Sequence, residues 1–215
     1  MSYFYVADDC PKYDVGFILD ESSSLQTKHF REEKRFAIDV AGFFNIAPNG
    51  GRASVISFAN ESHLHIKFSD YQRYNDFSEA VDKLERARGM TDIIGALDKG
   101  LREMFQPING MRTEEKVKKL AFLITDGISS LGKKERIHFT EMKEKYQRKD
   151  ITLFVIGIGN VDEEKLKLLV EDSTKYYIHI NNFEDLFHVL LKYVEQSECK
   201  GKYYKTHSFL QKNNY

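Results

Sequence analysis

The stretch that decides the fold is YDVGFILD at residues 13–20, followed at once by ESSS at residues 21–24. The first segment is a short apolar run that ends at an acidic residue, Asp20, which is typical of a buried strand in a parallel sheet. The second segment is a serine-rich turn. Apolar residues at helical spacing then run from Thr27 to Ile46. The chain therefore opens with a strand, a polar turn and a helix.

The same alternation continues along the chain. Further strands are predicted at 52–58, 64–68, 120–124, 151–159 and 176–180, with a hairpin joining the first two of these. Helices are predicted over 71–88, 92–105, 139–149, 162–170 and 183–194. This order predicts an α/β, doubly wound (Rossmann-like) fold with a mostly parallel six-stranded sheet, one antiparallel edge strand and helices on both faces. We expect one domain over residues 10–199 and a basic, aromatic tail or linker over 200–215.

Composition narrows the classes of function. The 215 residues include 32 Lys and Arg against 33 Asp and Glu, and 41% are hydrophobic. The length suits a single α/β domain, and the balanced charge gives no bulk attraction to nucleic acid. No uncharged run approaches the roughly 20 residues of a membrane helix, so membrane insertion is not expected. Residues 1–10 lack a signal-peptide pattern, which indicates an intracellular chain or a mature or recombinant piece.

A doubly wound sheet places its binding sites beyond the carboxyl ends of its strands. In this sequence, polar side chains follow the predicted buried strands at those ends. Asp20 and Asp126 each follow a predicted buried strand, and they converge if the two strands are neighbours. Two buried carboxylates repel each other, and a hard cation such as Mg²⁺ relieves that repulsion. Ser22 and Ser24 can turn their hydroxyls to the same side as Asp20. Thr91 can supply a third hydroxyl from another loop and can also cap the helix that follows it.

These residues resemble the metal-ion-dependent adhesion site of the von Willebrand factor A family. The resemblance covers about residues 10–199 and is carried, in order, by Asp20-x-Ser22-x-Ser24, by Thr91 and by Thr125-Asp126-Gly127. It implies a secreted, extracellular binding module and not an enzyme. It also implies Mg²⁺, with Mn²⁺ or Ca²⁺ as alternatives, held directly or through water by Asp20, Ser22, Ser24, Thr91 and Asp126.

The resemblance also implies a class of partner. An open position on the cation would be completed by an Asp or Glu carboxylate of an extracellular matrix or cell-surface protein. Collagen is an open candidate but is not implied, because the short helix by which some integrin inserted domains grip collagen is not recognisable in the sequence. Asp92 adds either a further carboxylate near the cation or a negative charge that complements the helix end.

Two features bear on the compartment. Cys10 and Cys199 lie just outside the first and last predicted elements, and chain termini are often close together, so they form either one disulfide or two free thiols. Their positions resemble those of the terminal disulfide in secreted family members such as matrilins and some collagens, which implies the paired form. Asn60-Glu61-Ser62 is an N-glycosylation triplet, and its place in a predicted hairpin turn makes Asn60 sterically usable.

Other functions stay open at this stage. The domain could assemble matrix without metal, or act as an intracellular scaffold of the same family. A hydrolase using Asp20 is a weaker hypothesis, because the dehalogenase-type phosphatase pattern needs a second Asp where Ser22 stands. No glycine-rich phosphate loop follows the first strand, and the serines lack a nearby His and acid. His63 and His65 share a strand face, either as a zinc pair or as solvent-facing residues.

Overall fold

The sheet has the six strands that the sequence predicted, and all but one of its neighbouring pairs are parallel. The computed structural model describes residues 11–127 and 133–185. Its strands are β1 (Lys12–Asp20), β2 (Arg52–Phe58), β3 (Ser62–Ile66), β4 (Val117–Thr125), β5 (Ile151–Ile158) and β6 (Tyr177–Ile180). They form one sheet in the order β3-β2-β1-β4-β5-β6. All pairs are parallel except β2–β3, so the doubly wound α/β fold with one antiparallel edge strand is confirmed.

Helices cover both faces of this sheet. They are α1 (Thr27–Phe43), α2 (Tyr74–Asp82), α3 (Ile93–Lys99), α4 (Lys133–Arg148), α5 (Glu163–Leu166) and α6 (Ser173–Tyr176). A π-helical turn, Gly100–Met104, extends α3, and 3-10 turns lie at Pro107–Asn109, Lys167–Leu169 and Phe183–Asp185. No helix in these described ranges is both long and apolar enough to cross a membrane.

The burial of β1 on both faces explains why residues 15–19 carry no polar side chain. Successive side chains of a strand point to opposite faces, and both faces are covered here. Val15, Phe17 and Leu19 pack in the core beneath α1 and α2, whereas Ile18 packs in the core beneath α3 and α4. Gly16 also faces the second core, where a Cβ atom would lie 2.4 Å from the sulfur of Met104. A larger residue at this position would displace the end of the π-helical turn.

The register of the central strands is visible as an aromatic ladder. Phe17, Phe122 and Phe154 lie on β1, β4 and β5 and are direct neighbours across the sheet. Their rings stack with centroid distances of 5.9 Å and 4.9 Å. This ladder fixes the relative heights of β1 and β4, and with them the positions of the polar residues that follow each strand.

Several predicted boundaries were wrong. The helix expected over 71–88 ends at Asp82, where the amine of Lys34 donates to the carbonyl oxygens of Asp82 and Leu84, at 2.6 Å and 3.0 Å. This buried cation satisfies the helix end, and residues 83–92 leave the helix. The first helix stops at Phe43 rather than Ile46, because Asn45 adopts a positive φ of 50°.

Other boundaries differ as well. Helix α4 begins at Lys133 rather than at the predicted Phe139. Strand β3 begins at Ser62 and ends at Ile66, displaced from the expected 64–68, and its pairing with β2 shifts register between Val55 and Ile56. The last predicted helix begins as the 3-10 turn Phe183–Asp185. Residues 186–194 lie outside the described residues, as do Cys10, Cys199 and the tail at 200–215.

Candidate metal centre

The two acidic residues that follow β1 and β4 are brought together as predicted. Strands β1 and β4 are adjacent and parallel, with Leu19 opposite Ile124, so their carboxyl ends meet at one edge of the sheet. The hydroxyl of Thr125 donates a 2.6 Å hydrogen bond to Oδ2 of Asp20. Asp126 comes directly after Thr125, and its carboxylate is close enough to Asp20 for its charge to raise the pKa of Asp20.

The serine turn joins these carboxylates. The backbone N–H of Ser22 donates to Oδ1 of Asp20 at 2.9 Å. The hydroxyl oxygens of Ser22 and Ser24 lie 3.0 Å apart, and the Ser24 hydroxyl donates to Oδ1 of Asp126 at 2.9 Å. A chain of hydrogen bonds therefore links Asp20, through the backbone N–H of Ser22 and the two serine hydroxyls, to Asp126.

Thr91 reaches the same place from a different loop. A Cβ atom added to Gly127 would lie 2.6 Å from the methyl carbon of Thr91 and 3.1 Å from its hydroxyl oxygen. Thr91 therefore lies against the residue that follows Asp126. The backbone N–H of Ser23 donates to the carbonyl of Gly89 at 2.8 Å, which docks the Thr91 loop on the serine turn. All five predicted site residues meet at this edge.

The expectation that Thr91 caps the following helix was wrong. Helix α3 starts at Ile93, and Asp92 is its N-cap, with the carboxylate accepting from the N–H of Gly95 at 2.9 Å. A carboxylate suits this position because it satisfies a free N–H and complements the helix dipole. The carboxylate of Asp92 is therefore used by the helix, and the hydroxyl of Thr91 is not needed as a cap.

The site's electrostatics favour a bound cation. Burial raises the pKa of Asp20 to about 6, despite the opposing hydrogen bonds from Ser22 and Thr125. The charge of Asp126 adds to this rise, and burial also raises the pKa of Asp126 itself. Carboxylates with raised pKa values carry charge that their surroundings do not compensate. Because every potential ligand is a carboxylate or hydroxyl oxygen, the residues present fit a hard divalent cation.

Glu33 is a third carboxyl group near this edge, and the sequence argument missed it. Its side chain is fully buried on α1, and neither carboxylate oxygen has a hydrogen-bond partner. Burial raises its pKa well above the ordinary value, and the charges of Asp20 and Asp126 raise it further. The sequence did contain a signal, because Glu33 lies three residues from both Phe30 and Phe36, on the stripe that faces the sheet.

Glu21 and Arg86, which the sequence did not single out, hold the serine turn and the Thr91 loop together. Glu21 is buried, and its carboxylate accepts 2.8 Å hydrogen bonds from the hydroxyl of Ser57 and from the N–H of Ala87. The guanidinium of Arg86 donates to the carbonyl oxygens of Glu21 and Ser22. These bonds dock residues 83–92 on the serine turn and explain why that segment leaves the helix. A Glu and an Arg separated by 65 positions form no pattern that a sequence argument could use.

The histidine pair on β3 does not form a comparable site. The rings of His63 and His65 lie 6.1 Å apart, and Nε2 of His65 is 2.7 Å from the hydroxyl of Ser57. Within the described ranges, no group of three or more His, Cys, Asp or Glu residues is placed to hold a metal ion. The candidate centre at the sheet edge is of another kind, since it combines two carboxylates with three hydroxyls.

The doubly wound sheet and the oxygen-only site at its carboxyl edge define an α/β domain built around a candidate cation site. A family model described as von Willebrand factor type A domain matches residues 14–192. The chain belongs to this family, which confirms the resemblance seen in the motif.

Its relatives include chains of matrix and adhesion proteins. The collagen alpha-5(VI) chain of Homo sapiens is 29% identical over 160 residues, covering 74% of this chain and 6% of the collagen. Matrilin-2 of Mus musculus is 24% identical over 80% of this chain, and integrin alpha-M of Mus musculus is 25% identical over 83%. This chain spans 18% of the matrilin and 16% of the integrin.

Solved structures show the same fold. Proximal thread matrix protein 1 from the mussel byssus aligns with a TM-score of 0.76 and 20% identity, covering 85% of this chain and 47% of that protein. Another structure of that protein, described as having a zinc-occupied MIDAS motif, aligns with a TM-score of 0.74 over 86% of this chain and 48% of its own.

Proposed function

We propose that residues 10–199 form an extracellular, non-enzymatic binding domain that holds a divalent cation and uses it to bind an acidic side chain of a protein partner. The proposed ligands of the cation are Asp20, Ser22, Ser24, Thr91 and Asp126. Mg²⁺ is the proposed ion, and Mn²⁺ and Ca²⁺ are alternatives with the same preference for oxygen ligands.

The observation that carries this proposal is the chain of hydrogen bonds that links the two carboxylates through the serine turn. The Ser24 hydroxyl donates to Asp126 while Ser22 lies 3.0 Å from Ser24 and donates its N–H to Asp20. These hydrogen bonds gather carboxylate and hydroxyl oxygens at the switch point of the sheet, where ligands bind in this class of fold. A neutral hydroxyl does not compensate the charge of Asp126, which is left for a cation.

The roles of the chain's own residues follow from their contacts. Thr125 and the N–H of Ser22 hold the Asp20 carboxylate in one orientation. The hydrogen bonds of Glu21 and Arg86 keep the Thr91 loop against the serine turn. When bound, the cation would supply positive charge and a coordination position that a partner's Asp or Glu carboxylate can fill.

The relatives support the compartment and the class of partner. Their names place them among collagens, matrilins and integrins. We therefore propose that this chain is secreted, that Cys10 and Cys199 form a disulfide, and that its partner is a matrix or cell-surface protein. Collagen remains an open candidate as the partner.

The test is thermal unfolding during titration with Mg²⁺ and with Mn²⁺. A ligand that binds only the folded state adds about 2.7 kcal/mol at ~100 times its dissociation constant. We expect a saturable rise in the melting temperature of the wild type and none in Asp126→Ala. The matched control is Asp98→Ala, which removes a carboxylate on α3 that pairs with Arg102 and should respond as the wild type does. A wild type that does not respond to either ion would refute the cation site.

A further inference from the structure

Asn60 lies at the same edge of the sheet as the candidate metal centre. It is exposed in the turn between β2 and β3, two residues after Phe58. Phe58 is the register partner of Asp20 across the β1–β2 pair. Because the parallel strands β1 and β2 end at the same edge of the sheet, the turn after β2 lies beside the serine turn after β1.

The Asn60 side chain contacts the segment that carries Thr91. Its Oδ1 accepts a hydrogen bond from the backbone N–H of Met90. A Cβ atom added to Gly89 would lie only 2.7 Å from the same oxygen, so a bulkier residue at 89 would break this contact. The N–H of Asp92 also donates to the carbonyl of Ala59 at 3.1 Å. Asn60 is therefore bonded to the residue next to a proposed ligand of the cation.

This contact fixes which atom of the Asn60 amide faces outward. A backbone N–H can only donate, so the side-chain atom facing Met90 must be the oxygen. The nitrogen Nδ2 therefore points away from the loop, and no group in the described parts of the chain accepts a hydrogen bond from it. Asn60 is also the first residue of the triplet Asn60-Glu61-Ser62, whose nitrogen is the attachment atom for N-linked sugars.

We propose that Asn60 carries an N-linked glycan in the secreted protein, and that the glycan screens the Met90 side of the metal centre from macromolecules, leaves the other sides open to the partner and lets ions enter. The bond forms between Nδ2 of Asn60 and the anomeric carbon of the first sugar. The donor is a lipid pyrophosphate-linked oligosaccharide, whose pyrophosphate leaves as Nδ2 loses a proton. The screening part of this proposal rests on the proposed function of the site.

The modification is compatible with an intact centre. Glycosylation consumes Nδ2 and leaves Oδ1 free to accept from Met90, so the Thr91 segment keeps its anchor. The glycan is bulky and would stand beside Met90, whose side chain is 78% exposed. We therefore expect the glycan to change access for a large partner and to leave cation affinity unchanged.

The first experiment measures the mass of the chain secreted from cultured animal cells, before and after treatment with peptide N-glycosidase. Ser62→Ala is the matched control, because it removes the triplet but retains the Asn60 amide and its hydrogen bond. We expect the wild type alone to lose the mass of a glycan. A wild type that is secreted at its unmodified mass would overturn the proposal.

The second experiment tests the screening without needing a partner. Met90→Cys is labelled with a small maleimide and with a maleimide on a long polyethylene glycol chain, in the glycosylated protein and in the Ser62→Ala background. Labelling of the chain without Met90→Cys is subtracted as background. We expect the polymer, but not the small reagent, to react several-fold more slowly when the glycan is present.

The control for this labelling is Ile108→Cys, at a position 88% exposed at the opposite edge of the sheet. Its polymer rate should be the same with and without the glycan. Equal polymer rates for the glycosylated and unglycosylated forms of Met90→Cys would overturn the screening.

A third measurement separates this proposal from the function of the site. Mn²⁺ titration should raise the melting temperature of the wild type and of Ser62→Ala at the same ion concentration. Asn60→Ala, which removes the anchor of the Met90 N–H as well as the glycan, should need several-fold more Mn²⁺. If the glycosylated protein shows no change of melting temperature with Mn²⁺, the cation site is refuted and the modification still stands. If the glycan itself shifts the midpoint of the Mn²⁺ titration, the proposed free passage of ions is overturned.

Discussion

The hydroxyl of Ser24 donates a 2.9 Å hydrogen bond to the carboxylate of Asp126, which lies 102 positions further along the chain. This bond joins the turn after β1 to the end of β4. It brings the two halves of the motif into direct contact, and it places a hydroxyl and a carboxylate where one cation could contact both.

Thr91→Val should weaken cation binding without unfolding the protein. Valine keeps the methyl group that packs against Gly127 and loses the hydroxyl. We expect at least about a tenfold rise in the Mn²⁺ dissociation constant, since changes around metal sites typically cost 10–100-fold. Calorimetric titration gives the constant, and Thr91→Ser, which retains the hydroxyl, is the control. Wild-type affinity in Thr91→Val would remove Thr91 from the set of ligands.

The stability of the ion-free protein should fall as the pH rises from about 4 to about 6. The pKa of Asp20 is raised from 3.8 to about 6 in the folded state, so the folded protein binds the extra proton between these values. Stability is therefore greatest below the unfolded pKa and is lost as the pH rises through the folded one. The loss is roughly 3 kcal/mol for this group.

Urea unfolding in a chelator at several pH values measures this loss. Other carboxylates titrate in the same range, so the quantity to compare is the difference between the wild type and Asp20→Asn. Mn²⁺ affinity should change in the opposite sense and fall as the pH drops through about 6, because a coordinating carboxylate must be ionised. A pH-independent difference between the two proteins would show that Asp20 titrates normally.

Glu33→Met should stabilise the ion-free protein by about 1–3 kcal/mol at neutral pH, which is the usual cost of a buried polar group without a partner. Methionine has a similar length and needs no hydrogen bond, whereas both oxygens of Glu33 lack partners. Urea unfolding at pH 7 measures the change. Glu32→Met, at a partly exposed position on the same helix, should change stability by less than about 0.5 kcal/mol. A destabilised Glu33→Met would mean that Glu33 binds something inside the fold.

Arg86→Met should both destabilise the fold and weaken the candidate centre. The guanidinium donates to the carbonyl oxygens of Glu21 and Ser22, and hydrogen bonds from a charged group contribute about 1.5–3 kcal/mol each. We expect a loss of about 2 kcal/mol or more in urea unfolding, together with a several-fold loss of Mn²⁺ affinity. Arg88→Met, at an exposed position in the same segment, is the control. If both variants bind Mn²⁺ equally, Arg86 supports the fold and not the site.

Local patterns were enough to predict the six strands and to single out the polar residues at their carboxyl ends. An apolar run ending in Asp20, a serine turn and a second run ending before Asp126 depend only on neighbouring residues. The sequence predicted that Asp20 and Asp126 would meet if their two strands were neighbours, and the structure shows that β1 and β4 are adjacent and parallel.

Contacts between distant parts of the chain decided the rest. The sequence by itself determined the α/β class and the order of elements, because hydrophobic periodicity and turn composition act over a few positions. Only the tertiary structure showed that α2 ends at Asp82, that Asp92 rather than Thr91 caps α3, and that Glu33 lies buried without a partner. The end of α2 depends on Lys34, and the course of residues 83–92 depends on Glu21. Both side chains are far in sequence from the segment that they hold. Residues 83–92 leave the helix because a buried charged group needs hydrogen bonds, and the carbonyl and N–H groups of this segment supply them to Lys34 and Glu21.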